Sequence, residues 1–160
     1  MRSLFAALER ARALAGRGDD DLYRTAPAVS AWSVAQHLDH AARVTRGCLA
    51  TARRLRAGKG EPGGGPNLRG RLVLLLGRIP RGRGRAPEAF VPQERPAREA
   101  VLEAIEDAAA AARGLEGDSL VGSGTVAHHH FGPMRARHWV RFAAVHLRHH
   151  LALIDDILSA

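Results

Sequence analysis

The 160-residue chain has few aromatic side chains, one cysteine and no long apolar run. Aromatic residues make up 4% of the sequence and hydrophobic residues 46%, so the core has to be built mainly from Ala, Leu and Val. A core poor in aromatic and β-branched residues favours helices that pack closely on one another. The composition therefore predicts an all-α protein.

The scarcity of cysteine and of apolar runs also excludes several classes of protein. A lone Cys48 cannot form an intrachain disulfide, which favours a reducing compartment. The longest apolar run, 72-LVLLL-76, is far shorter than the roughly 20 residues that a membrane span needs. Glu9, Arg10 and Arg12 interrupt the N-terminal apolar positions, unlike a secretory signal. We therefore expect a cytoplasmic protein with no membrane association.

The net charge of +8 is concentrated in one part of the chain. Residues 53–85 contain ten Lys or Arg against the single acid Glu61, a charge of +9, which leaves −1 for the remainder. Such a segment could bind nucleic acid or an anionic surface. It has no aromatic side chains for stacking on bases, and Leu72–Leu76 are expected to pack back onto the protein, so nucleic-acid binding is the less favoured interpretation.

Apolar periodicity predicts four main helices and no convincing strand. Ser30 is the expected N-cap of the second helix. A long Gly/Pro/Arg-rich connection, 58–95, with one short helix at 68–78, separates the second and third helices, and a Gly/Ser loop at 116–130 precedes the last. These features predict a single domain over 1–160 with the architecture of an antiparallel four-helix bundle. The predicted helices span about 2–15, 31–57, 96–115 and 134–158.

Histidines are the functional signal. His146 and His150 are four residues apart on the apolar face of the last helix, so both imidazoles can reach one ion. The second helix carries 36-QHLDH-40, and bundles build metal sites from facing helices. Either His37 or His40 could be the third ligand, since periodicity alone does not decide between them. Three histidines leave coordination positions open, which is typical of catalytic metal sites.

Two other groups of residues could take part in chemistry, namely the histidines of the loop before the last helix and the single cysteine. The loop contains His128, His129 and His130, of which His130 is a candidate proton relay at the mouth of the bundle. Cys48 lies on the apolar stripe of the second helix and is expected to be a small buried hydrophobe.

Two segments resemble the DinB/YfiT-like superfamily of metal-binding four-helix bundles. The segment 32-WSVAQHLDHAAR-43 matches its W-S-x-x-x-x-L-x-H signature, and 146-HLRHHLALI-154 matches its H-x-x-x-H on the last helix. The resemblance implies that His40, His146 and His150 are the ligands of a divalent ion. Zinc or nickel is the expected metal, with iron or manganese as alternatives.

The resemblance also implies a function. Characterised relatives include transferases that use low-molecular-weight thiols and hydrolase-like members, so we expect a small-molecule substrate. His37, His149 and Trp139 are expected to support the ligands. Relatives often carry Gln where this chain has Leu153, which allows a different chemistry. A non-catalytic metal-binding or stress-related protein is the alternative, and the oligomeric state is open, a homodimer included.

Overall fold

The computed structural model describes residues 1–82, 86–117, 120 and 124–160. Two members of the basic segment, Arg83 and Arg85, lie outside the described residues. None of the helices described is long and apolar enough to cross a membrane. In chain order the elements are α1 (Arg2–Ala15), α2 (Asp19–Leu22), α3 (Val34–Arg56), β1 (Glu61–Pro62), α4 (Leu68–Leu76), a 3-10 turn (Glu88–Phe90), α5 (Arg98–Arg113), β2 (Gly124–His128), β3 (Gly132–Met134) and α6 (Ala136–Ser159).

The four long helices pack around one apolar core. Helix α3 lies against both α5 and α6, and α1 contacts the same two helices on their other side. Many of the buried side chains are alanines, which allow the helix axes to approach closely. The prediction of a helical bundle is confirmed. The described chain also has the two short helices α2 and α4, of which only α4 was expected.

A small antiparallel sheet, which the sequence did not predict, covers one end of the bundle. Strand β2 pairs with β1 on one side and with β3 on the other. Its strands contain only two to five residues and are rich in Gly, Pro and His, so they show no alternation of apolar and polar positions. The pairing of Glu61 with Thr125 also joins segments far apart in the sequence, which no local pattern reveals.

Helix α3 begins later than predicted, and its start fixes the rotation of its histidines. The N-cap is Ser33 rather than Ser30: the Ser33 hydroxyl accepts from the Gln36 backbone N–H, and the Gln36 side chain accepts from the Ser33 N–H. This reciprocal pair is a capping box. From this start, His37 and His40 both turn toward α6 and are buried.

Replacing the cap should weaken the fold. We expect Ser33→Ala to lower the free energy of unfolding by about 1 kcal/mol, because the first-turn N–H groups lose an acceptor. Urea denaturation followed by circular dichroism measures the change. Ser159→Ala, at the exposed end of α6, is the matched control and should change stability by less than about 0.5 kcal/mol. Equal effects of the two substitutions would contradict this role of Ser33.

Candidate metal centre

Three histidines from two helices meet inside the bundle. His40 lies on α3, and His146 and His150 lie one turn apart on α6. One ring nitrogen from each comes within 4.8 Å of those of the other two. The ring centroids are 4.6–5.1 Å apart. The residues that the family resemblance named as ligands are thus brought together, while metal binding itself stays a prediction.

The ring of His40 is oriented by the connection between α4 and α5. Its Nδ1–H donates to the Phe90 carbonyl oxygen at 2.7 Å, which leaves Nε2 with the lone pair that a metal needs. The Arg43 guanidinium donates to the carbonyls of Ala89 and Val91, on either side of Phe90, and forms an ion pair with Asp39. Arg43 therefore fixes the segment of the connection whose carbonyl positions His40.

His150 is supported by a chain of polar contacts. Its Nδ1 lies 2.9 Å from Nδ1 of His37, and Nε2 of His37 lies 3.0 Å from the Ser30 hydroxyl. That hydroxyl also accepts from the Trp32 backbone N–H. With His37 donating to Ser30 and accepting from His150, Nε2 of His150 is left free to bind a metal.

His146 contributes an unsatisfied polar atom. Its Nδ1 has almost no accessible surface and no hydrogen-bond partner among the described residues. A buried polar atom without a partner costs free energy, so such atoms call for an explanation.

All three imidazoles are in the state that a metal requires. Burial lowers the pKa of His146 and His150 well below the usual value, and repulsion from neighbouring histidines adds to the effect. Burial also lowers the pKa of His40, although its hydrogen bond to Phe90 acts in the opposite direction. The cluster is therefore neutral near pH 7, so its nitrogens keep their lone pairs.

A cavity of about 860 Å³ opens beside the cluster. The ring of Trp32 packs 5.0 Å from that of His40, centroid to centroid, and Phe142 packs 5.5 Å from His146. Most of the wall is apolar, which suits a small organic molecule. Among the described lining residues, Arg81 is the one with a formal charge, and it forms an ion pair with Asp156.

The remaining predicted site residues lie around the cavity but outside the triad. His149 is half-buried, with its ring 5.3 Å from that of His150. Trp139 lines the cavity and its Nε1 has no hydrogen-bond partner among the described atoms. His130 is exposed on the turn between β2 and β3 and is one of the residues that line the cavity.

His128, rather than His130, is the buried histidine of this turn. Its ring stacks on Phe131 at 4.5 Å and contacts Phe142, which in turn contacts His146. Burial, with repulsion from His129 and His130, lowers the pKa of His128 to about 4. The sequence missed this distinction because three consecutive histidines carry no signal of which one turns inward. The carbonyl of Phe90 was missed for a similar reason, since a backbone acceptor has no residue signature.

Fold and cluster together define a helical-bundle protein with a buried histidine triad that could hold a metal ion. Residues 4–154 match the family model of the DinB superfamily, and the chain belongs to that superfamily. No curated protein and no solved structure matches the chain significantly. The geometry explains the family's signature: Trp32 packs on His40, Ser33 caps the helix, and Leu38 is buried in the core.

Acid should destabilise the metal-free protein. Burial, followed by repulsion from His40 and His149, lowers the pKa of His37 from about 6.5 to about 4. Between pH 6.5 and about pH 4, His37 is therefore protonated in the unfolded chain but stays neutral in the folded chain. The free energy of unfolding falls with pH over this range. We expect His37 alone to contribute a loss on the order of 1–2 kcal/mol between pH 7 and pH 5.

Urea denaturation in the presence of a chelator at pH 7 and pH 5 measures this loss. Both values lie above the usual carboxyl pKa values, so histidines dominate the difference. His37→Gln should reduce the slope with pH, whereas Ser159→Ala, at an exposed position without a titratable group, should leave it unchanged. Identical slopes in the wild type and His37→Gln would contradict the assignment.

Proposed function

We propose that the chain is a divalent-metal-dependent enzyme that acts on a small organic molecule bound in the cavity. The observation that carries the proposal is the convergence of three neutral, buried imidazoles at the wall of a cavity of about 860 Å³. Structural metal sites are usually closed by four protein ligands, whereas catalytic ones keep a position open. Among the described residues, only these three form a group with metal-ligand spacing.

The donor set favours particular metals. Imidazole nitrogen suits zinc, nickel, copper and iron, whereas magnesium and calcium prefer oxygen ligands. No carboxylate lines the described part of the cavity. We therefore propose zinc or nickel held by His40, His146 and His150, with iron or manganese as weaker candidates. Such an ion would supply a Lewis acid that lowers the pKa of a bound water or thiol.

The nucleophile has to come from outside the protein. Cys48 lines the cavity, but burial raises the pKa of its thiol to about 12, so the thiolate is scarce at neutral pH. With no carboxylate in the described wall, proton transfer falls to the neutral imidazoles near the cavity, His128 and His149. Water or a low-molecular-weight thiol is the proposed nucleophile, which gives a hydrolase or an S-transferase.

Leu153 limits how closely the chemistry can follow that of relatives. Its side chain lines the cavity and is nearly buried, so no amide stands at the position where relatives often have Gln. A ligand group in contact with Leu153 meets an apolar surface there. We therefore expect the substrate to differ from that of relatives that use such an amide.

Metal content tests the first part of the proposal. Untagged protein should purify with, or take up, about one equivalent of zinc or nickel, measured by inductively coupled plasma mass spectrometry. His146→Ala should lower the affinity for the metal at least 100-fold, since it removes one of three ligands. His149→Ala is the matched control on the same helix and should keep full occupancy. Wild-type protein that stays metal-free yet folded in excess zinc and nickel would overturn the proposal.

Turnover tests the second part and separates an enzyme from a protein that only stores the metal. Metal-loaded wild-type protein should accelerate the reaction of a small thiol with an organic electrophile, or the hydrolysis of an activated ester or amide. His146→Ala should reduce the rate at least tenfold, whereas Arg148→Gln, at an exposed position of the same helix outside the cavity lining, should leave it nearly unchanged. A fully loaded protein inactive across a broad thiol and ester screen would favour the non-catalytic alternative.

A further inference from the structure

Helix α4 exposes a stripe of leucines that nothing in the described chain covers. At 100° per residue, positions 68, 72, 75 and 76 fall on one face of the helix. Surface helices usually turn such a face inward. The relative exposures are 73% for Leu68, 48% for Leu72, 75% for Leu75 and 67% for Leu76.

The opposite face of α4 is already used to hold the helix on the protein. Val73 and Leu74 are buried, and Gly70 lies against Phe131. Arg141 of α6 donates to the carbonyls of Leu74 and Leu75, at the C-terminal end of the helix. The segment therefore packs back onto the protein as expected, but through Val73 and Leu74 alone, whereas Leu72, Leu75 and Leu76 are exposed.

Arginines border the stripe on both sides. Arg69 and Arg71 are exposed and fall on its two edges at 100° per residue. Arg78 follows the helix and is also exposed. The sequence from 62 to 87 contains no acidic residue. Exposed leucines flanked by long cationic side chains suit contact with a membrane interface, where arginine stems cover apolar surface and the guanidinium reaches the headgroups.

We propose that α4 docks the chain on an anionic lipid surface, with the four leucines in the acyl boundary and the arginines at the headgroups. Charge decides between this occupant and a second copy of the chain. A symmetric pair would bring two copies of Arg69 and Arg71 together in a segment without acids, and like charges oppose that contact. Anionic lipids attract the same residues, at roughly 1 kcal/mol for each Arg near the surface.

This surface is separate from the histidine triad and does not rest on the proposed enzyme activity. It replaces the expectation of no membrane association, which relied on the lack of a spanning segment. It also gives the basic segment a use that needs none of the aromatic stacking on which single-stranded nucleic-acid binding commonly relies.

Vesicle flotation of the 160-residue protein, with and without added zinc, tests the inference. Wild-type protein should float with vesicles containing about 30% phosphatidylglycerol and much less with pure phosphatidylcholine, and 0.5 M salt should weaken the binding. The double variant Leu72→Ser/Leu75→Ser should lower the partition coefficient at least tenfold. Leu72→Met/Leu75→Met, which keeps the face apolar, is the matched control and should bind like the wild type.

A charge series completes the design. Arg69→Gln/Arg71→Gln should weaken binding to anionic vesicles, whereas Arg113→Gln, on the exposed face of α5, should have little effect. Circular dichroism and metal content confirm that each variant is folded. The inference is overturned if folded wild-type protein does not float. It is equally overturned if serine substitutions abolish self-association or DNA binding but leave flotation unchanged.

Discussion

The contact between α3 and α6 is the constraint on which the rest of the molecule depends. Each helix buries an apolar stripe against the other, and each stripe is interrupted by imidazoles at the level where they meet. Burying polar rings is unfavourable unless they find partners. His40 and His150 each have a hydrogen-bond partner, whereas Nδ1 of His146 has none among the described residues. The three rings nevertheless lie close enough together that the group could hold a metal ion.

The long connection between α3 and α5 is held in position by side chains of α3. In the sequence it is a Gly/Pro/Arg-rich interruption, and much of its described part has no regular structure. In the fold, one of its carbonyls accepts from His40, and two neighbouring carbonyls accept from Arg43. These hydrogen bonds tie the connection to the helix that carries His40. Residues with no motif of their own thus determine how the histidine is presented.

Sequence reasoning reached the helices and the α6 pair because both depend on local spacing. It could not choose between His37 and His40, since both are buried and both face α6. The two differ in their hydrogen-bond partners: His37 contacts the Ser30 hydroxyl, whereas His40 donates to the carbonyl of Phe90. The family signature made the choice that periodicity could not. Strands β1–β3 and the inward turn of His128 escaped prediction because they arise from contacts between remote segments.

Gly70 links the outer surface of the protein to its interior. A Cβ at this position would stand 2.8 Å from Cβ of Phe131, so α4 and the β2–β3 turn approach too closely for any other residue. Asn67, which caps α4, also donates to the carbonyls of His130 and Phe131. Since Phe131 stacks on His128 at the cavity wall, an unbroken series of contacts joins α4 to that wall. A side chain larger than glycine at position 70 would therefore displace residues that line the cavity as well as the helix on the surface.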